Sequence, residues 1–285
     1  MISRFEPLPP AVHALIDLAI DEDTGRGDVT TGLCVPAGAN GEGRVIARAG
    51  CVLSGLDVFA AVMNRVDGET RCNPECTDGD VAEAGRVVAA VRGRLASLLI
   101  AERVALNFLQ RLSGVATLAR RFVDALPAGS RTRIVDTRKT TPGLRWLERR
   151  AVRHGGGANH RADLAGGILI KENHVVAAGS IGAAVAACRA GGPHPLRVQV
   201  EVRDLDELSA ALGAGAEAVL LDNMTPDEVR RCVETTGGRA LVEVSGGVDL
   251  AAVAPLALAG VDVISVGALT HSAPAADLSF LLRGA

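Results

Sequence analysis

Residues 197–247 read RVQVEVRDLDELSAALGAGAEAVLLDNMTPDEVRRCVETTGGRALVEVSGG, and two strand-helix-strand units lie end to end within them. RVQVEV, AVLLD and ALVEV are short, rich in β-branched residues and almost continuously apolar, as strands buried on both faces are. The same grammar extends outward in both directions. Before it come RIVD from Arg133, the helical GLRWLERRAVRH (143–154), GILIK from Gly167 and the helical SIGAAVAACRA (180–190); after it come LAAVAPLALAG (250–260) and VDVISVG (261–267). Six strands alternating with helices predict a parallel sheet joined by right-handed crossovers, either a barrel or a doubly wound sheet. Glycines at 191, 215, 237 and 260 are expected to cap helices as C′ residues.

The region before residue 95 is patterned differently. Apolar residues at Leu8, Val12, Leu15, Ile16 and Ala19 space a helix over 8–21, followed by a loop, EDTGRGDVTT (22–31). Strand-like runs at 44–49 and 87–91 flank a helix at 57–66, which together read as an α+β domain. A long helix then runs over 97–126, with Gly114 as an expected bend.

The 285 residues are 48% hydrophobic and 22% charged, which excludes a disordered or collagenous chain. A net charge of −3, 2% aromatics and no tyrosine argue against a nucleic-acid or anionic-membrane surface. The uncharged stretches 175–188 and 250–261 fall short of the ~20 apolar residues that span a bilayer. The opening MISRFEPLPP lacks the apolar core of a signal peptide, so a cytoplasmic location with reduced cysteines is expected. Cys72 and Cys76 have no second ligand pair nearby, so no zinc site is expected. Of 30 Lys and Arg residues only Lys139 and Lys171 are lysines, which suggests positions needing a compact ammonium rather than a guanidinium fork.

The unusual polar residues cluster at the carboxyl ends of successive strands. They are Asp136-Thr137-Arg138-Lys139-Thr140, Lys171-Glu172-Asn173-His174, Glu201, Asp222-Asn223, Ser245-Gly246-Gly247 and Gly267-Ala268. A single strand-end acid is commonly a helix cap, but six such positions in register nominate one site on the carboxyl face of a barrel. Arg138, Lys139, His160, Arg161 and Lys171 gather cations, while Arg103 on the long helix reads by itself as a solvated face. The two glycine turns, one β/α unit apart, suit a phosphate at helix N-termini. Glu201 and Asp222 suit sugar hydroxyls, Mg²⁺ or a developing positive charge. The expected ligand is anionic and phosphorylated, with a sugar and carboxylates.

Six motifs in order carry a resemblance: ERVALNFLQRLSGVAT (102–117), DTRKTTPGLR (136–145), GGGANHR (155–161), LIKENH (169–174), EVSGGV (243–248) and SVGALTHS (265–272). With the GDVTT loop (27–31), they resemble the quinolinate phosphoribosyltransferase family over nearly the whole chain. The resemblance implies an N-terminal α/β sandwich domain, residues 1–112 with 273–285 packing back on it, and an incomplete, six- or seven-stranded α/β barrel over 113–272. It implies transfer of a phosphoribosyl group from 5-phosphoribosyl 1-pyrophosphate (PRPP) to quinolinate with decarboxylation, giving nicotinate mononucleotide, CO2 and pyrophosphate for NAD biosynthesis. It further implies a homodimer with shared sites, which extends to a hexamer as a trimer of dimers in one arrangement, and Mg²⁺ arriving with PRPP or pyrophosphate.

Carried over by position, Arg103, Arg138, His160, Arg161 and Lys171 resemble the quinolinate-binding residues, Arg103 reaching into the neighbouring subunit. Lys139 resembles the residue at the pyrophosphate end, and Glu201 and Asp222 those at the ribose hydroxyls and metal; these three and Lys171 are the implied catalytic set. Ser245, Gly246, Gly247, Val266, Gly267 and Ala268 resemble the 5-phosphate cradle, with His271 bordering it. One departure stands out: ADLAGGI (162–168) has Gly166 where the family pattern has an aspartate, so His160 or Lys171 is expected to lose an orienting partner. Other readings of the residues are a phosphoribosyltransferase for another pyridine acceptor, a Schiff-base lyase using Lys171, and a non-catalytic sensor of phosphorylated sugars.

Overall fold

A computed structural model describes residues 7–283; the start of the MISRFEPLPP segment, read above for the absence of a leader, lies outside the described residues. The described residues divide into two compact units, one of residues 7–118, 142–155 and 273–283, the other of 119–141 and 156–272.

The first unit contains helices α1 (Pro10–Thr24), α2 (Val29–Cys34) and α3 (Leu56–Val66), most of α4 (Leu95–Asp124), and α5 (Arg145–His154). Its strands are β1 (Asn40–Ala47), β2 (Cys51–Val52), β3 (Arg71–Pro74), β4 (Val81–Ala82) and β5 (Val87–Arg94). They are joined by the C-terminal β12 (Leu278–Arg283), whose antiparallel pairing with β1 makes a four-stranded sheet ordered β12-β1-β5-β3. Val45, Ala47, Val88 and Val91 are fully or almost fully buried, as are Leu56, Phe59 and Met63 of α3 and Leu98, Leu109 and Leu112 of α4. This burial of one sheet face against helices is the main stabilising term in such a layer.

Two expectations fail in this unit, and a glycine inside α4 has a packing role. The loop over 22–31 is instead the end of α1 and the start of α2, because the Asp28 carboxylate accepts the Thr31 N–H at 2.9 Å and caps a new helix. The α4 helix runs unbroken through Gly114; a Cβ there would collide with the carbonyl of Pro274, so glycine permits the returning C-terminal segment to approach. Finally, α5 sits in the strand-helix alternation but belongs to the first unit. Arg150 meets Asp57 of α3 in a buried two-point contact at 2.5 and 2.6 Å, and Arg111 of α4 meets the fully buried Glu148 at 2.7 Å.

The second unit is a parallel sheet of β6 (Arg133–Val135), β7 (Ile168–Ile170), β8 (Val198–Val202), β9 (Ala218–Asp222), β10 (Leu241–Ser245) and β11 (Val263–Ser265). Its hydrogen-bonded order is β6-β11-β10-β9-β8-β7, so the last strand closes on the first and the ring stays open between the first two. Ala158 bridges to Val135 in that opening, an abbreviated seventh strand. This is an incomplete α/β barrel, as the strand count requires. Helices α6 (Glu172–Ala178), α7 (Ile181–Gly191), α8 (Leu205–Gly213), α9 (Pro226–Thr236), α10 (Leu250–Leu258) and α11 (Ala268–His271) complete the unit. Val198, Val200, Val219, Leu221, Val242 and Val244 form one buried set of alternate residues. The intervening residues face inward: Leu169 and Lys171, Gln199 and Glu201, Leu220, Glu243 and Ser245, and Ser265 all line cavities inside the ring.

Of the four glycines expected as caps, Gly215, Gly237 and Gly260 take positive φ. Gly191 instead remains helical, and α7 ends at Gly192 with an extended backbone at φ −80. Among the described residues no single helix is long and apolar enough to cross a membrane; α6 and α7, which share the 175–188 stretch, meet at 89°.

Candidate active site

A cavity of about 560 Å³ opens at the carboxyl ends of the barrel strands. Each strand delivers to it the residue that inward parity demands. Thr137, Arg138 and Lys139 follow β6, Lys171 follows β7, Glu201 lies on the inward row of β8, Ser245 ends β10 with Gly246 and Gly247 after it, and Val266, Gly267, Ala268 and His271 follow β11. His160 and Arg161 line it from the segment after the Ala158 bridge.

Asp136 positions that segment. It is fully buried at the end of β6 and accepts hydrogen bonds from the His160 backbone N–H at 2.8 Å and from Asn159 Nδ2 at 2.5 Å. The strand-end acid of this motif therefore holds the loop that carries His160 and Arg161, a structural role other than the helix cap that local pattern offers. The backbone on the other side is tied as firmly: Thr270 Oγ1 donates to the Lys139 carbonyl at 2.8 Å, joining the loop after β6 to the turn after β11. Lys139 itself projects into solvent at the rim.

Two turns form an anion-binding wall. Gly246 has φ +95, and a Cβ there would lie 2.9 Å from the backbone nitrogen of Asn223 and collide with that residue's side chain, so only glycine fits between the ends of β9 and β10. Asn223 is the one non-glycine residue with positive φ (56°) among the described residues, and its N–H donates to the Ser245 carbonyl at 3.0 Å. Such strain collects at sites whose geometry is held by the surrounding fold. Gly267 begins the second turn, directly before α11.

The positive charge is concentrated. Burial and the nearby Arg138 both hold the Arg161 guanidinium below its usual pKa, partly offset by Asp163. Arg161 Nη1 donates to the Gly167 carbonyl at 2.9 Å, which fixes its fork toward the cavity wall. The Lys171 ammonium pairs with Glu201, and the Lys171 backbone N–H donates to His174 Nδ1 at 2.9 Å at the start of α6.

Two expected residues are not on the cavity surface. Asp222 lies on the inward row of β9 one step beyond the lining residue Leu220, in register with Ser245 and hydrogen-bonded to Asn223 Nδ2 at 2.9 Å. Arg103 lies on α4 in the first unit, its side chain 58% exposed and 3.7 Å from Glu102. Among the described residues no group of three or more His, Cys, Asp and Glu side chains is placed to hold a metal ion.

Glu243 lines the cavity without having been singled out as a candidate residue. Glu243 has a clear signal in the sequence, since a carboxylate in the middle of the apolar strand ALVEV faces the barrel interior by parity. Burial alone would raise its pKa, but hydrogen bonds, first from His160 and then from Gln199, outweigh that and hold the carboxyl below its usual value. With Gly166 in place of an aspartate, the carboxylates that meet the two residues come from elsewhere: Lys171 pairs with Glu201, and His160 Nε2 lies 3.4 Å from Glu243.

Residues 28–113 match the family of quinolinate phosphoribosyl transferase N-terminal domains, and residues 115–281 match the corresponding C-terminal domains. A nicotinate-nucleotide pyrophosphorylase (carboxylating) from Mycobacterium leprae is 41% identical over 274 residues, covering 94% of this chain and 96% of its own. A probable enzyme of the same name from Bacillus subtilis is 39% identical over 258 residues, covering 90% and 89%. The crystal structure of NadC from Streptococcus pyogenes superposes with a TM-score of 0.93 at 36% identity, covering 99% of both chains. In both its domains and across nearly its whole length, the chain belongs to the quinolinate phosphoribosyltransferase family.

Proposed function

We infer that the protein transfers the phosphoribosyl group of PRPP to the ring nitrogen of quinolinate and decarboxylates the adduct, giving nicotinate mononucleotide, pyrophosphate and CO2 for NAD biosynthesis. One observation carries this reading: Arg138, Lys139, Arg161 and Lys171 share a single cavity with the glycine turns at Ser245–Gly247 and Gly267. Four cations facing two backbone anion cradles suit a dicarboxylate beside a phosphorylated sugar.

The pyridine nitrogen forms a bond to the anomeric carbon as the bond to pyrophosphate breaks. Positive charge develops on the ribose, and Glu201 and Asp222 at the rim favour it. Lys139 meets the leaving pyrophosphate, and the turns hold the 5-phosphate. With the ring nitrogen ribosylated and cationic, the C2 carboxylate leaves as CO2; the electron pair stays on C2, which then takes up a proton. Arg138, Arg161 and Lys171 position the carboxylates for this sequence, so the protein contributes mainly orientation and charge neutralisation. Asp222 and Glu201, with the phosphates of PRPP, are a hard oxygen donor set that suits Mg²⁺; when bound, the ion neutralises pyrophosphate charge. We further infer a cytoplasmic homodimer, open to assembly as a trimer of dimers, in which Arg103 serves the neighbouring subunit's quinolinate.

The experiment is to follow pyrophosphate and CO2 release with PRPP, Mg²⁺ and either quinolinate or nicotinate. Quinolinate is expected to be consumed with stoichiometric CO2. Consumption of nicotinate in preference, or borohydride trapping of a substrate adduct on Lys171, would overturn the assignment.

A further inference from the structure

Glu243 is 3% exposed, inside the barrel, on the strand that ends in the first glycine turn. Its Oε2 accepts from Gln199 Nε2 of β8 at 2.8 Å and faces His160 Nε2 at 3.4 Å, while Oε1 is buried with no hydrogen-bond partner among the described residues. Gln199 is itself 9% exposed. A buried carboxylate with one unmatched oxygen costs stability, and an apolar side chain would serve the fold as well. The opposite side of the His160 ring is also committed, since Nδ1 accepts the Arg161 backbone N–H at 2.8 Å. A nitrogen that accepts a backbone N–H carries no proton, so the ring proton sits on Nε2 and points at Glu243.

We propose that Glu243 is a positioning residue for the acceptor subsite: held by Gln199, it fixes the tautomer and orientation of the His160 ring where that ring lines the active-site cavity. The proposal rests on the phosphoribosyl-transfer reading for its kinetic consequence and on geometry alone for its tautomer. The long His160–Glu243 distance shortens when substrate excludes water from the cavity, as such contacts do on formation of the complex. In this arrangement the charge that meets the acceptor's carboxylates comes from Arg138, Arg161 and Lys171, and His160 supplies an oriented wall rather than a cation.

Two measurements test it. In Glu243→Gln, the KM for quinolinate is expected to rise roughly 10- to 100-fold, by analogy with the loss on removing a carboxylate that orients a metal-bound histidine. The KM for PRPP and the melting temperature are expected to stay near those of the unaltered protein. An unchanged KM for quinolinate, or KM values for both substrates rising together with a fall in melting temperature, overturns the proposal. Independently of activity and of any variant, ¹⁵N spectra of histidine-labelled native protein are expected to show His160 as the Nε2–H tautomer, and an Nδ1–H signal overturns it. If native protein releases no pyrophosphate with quinolinate and PRPP, the functional reading fails while the tautomer result still decides the positioning claim.

Discussion

Lys139 and Lys171 stand on one rim in different company. The ammonium of Lys171 pairs with Glu201, and with 49% of its side chain exposed that pair contributes at most about 1 kcal/mol. A ligand carboxylate can therefore exchange into it at little cost. Lys139 has its backbone pinned by Thr137 and Thr270 and has no ion-pair partner among the described residues, so its charge is available to an incoming anion. A compact ammonium can follow a departing pyrophosphate where a planar fork is restricted to two-point geometry. Lys139→Arg, which keeps the charge, is expected to lose at least about tenfold in kcat/KM, about 1.4 kcal/mol of transition-state stabilisation. Steady-state kinetics against PRPP decide it, and an unimpaired variant removes the requirement for an ammonium. The buried Asp136, by contrast, shows how a strand-end acid serves architecture: it spends both carboxylate oxygens on Asn159 and His160.

At the scale of elements, α5 is the instructive case. It follows the first barrel strand and precedes the second, so local pattern assigns it to the barrel, yet ion pairs that reach Asp57 and Arg111 decide where it packs. Arg150 and Asp57 are 7% and 6% exposed, and Arg150 also lies over the Trp146 ring at 4.9 Å. Removing one partner of such a pair leaves a buried charge unmatched. Asp57→Ala is expected to cost about 3–5 kcal/mol of stability, read as a lower denaturant midpoint for the first unit's transition. An Asp57→Ala protein as stable as the unaltered one would show that α5 is held by apolar contacts alone. The six barrel strands were legible because burial on both faces leaves an uninterrupted β-branched run. The short β2 and β4, two residues each, leave no periodicity to read.

For the whole molecule, the decisive question is how many chains make one site. Arg103 lies on an exposed face of α4, and the service to a second copy proposed for it is open to direct test. Arg103→Ala and Lys171→Ala are each expected to abolish most turnover. Mixed under conditions of subunit exchange, they are expected to recover about a quarter of native activity, because half the dimers are hybrids and each hybrid has one intact site. Proven exchange without recovery would exclude a shared site.

The chain by itself determined the parallel strands, their order along the sequence and the polar residues at their carboxyl ends, because periods of 2 and 3.6 are local properties. The same periodicity places Glu201 and Ser245 on the inward rows, and so most of the candidate cavity was readable without coordinates. Only the tertiary structure decided that β11 closes on β6, that the C-terminal segment, expected to pack back on the first domain, does so as a strand paired with β1, that α5 joins the first unit, and that Glu243 meets His160. Each of these joins residues far apart in the chain. Nothing in local sequence records a pairing whose energy exists only once both partners are buried together.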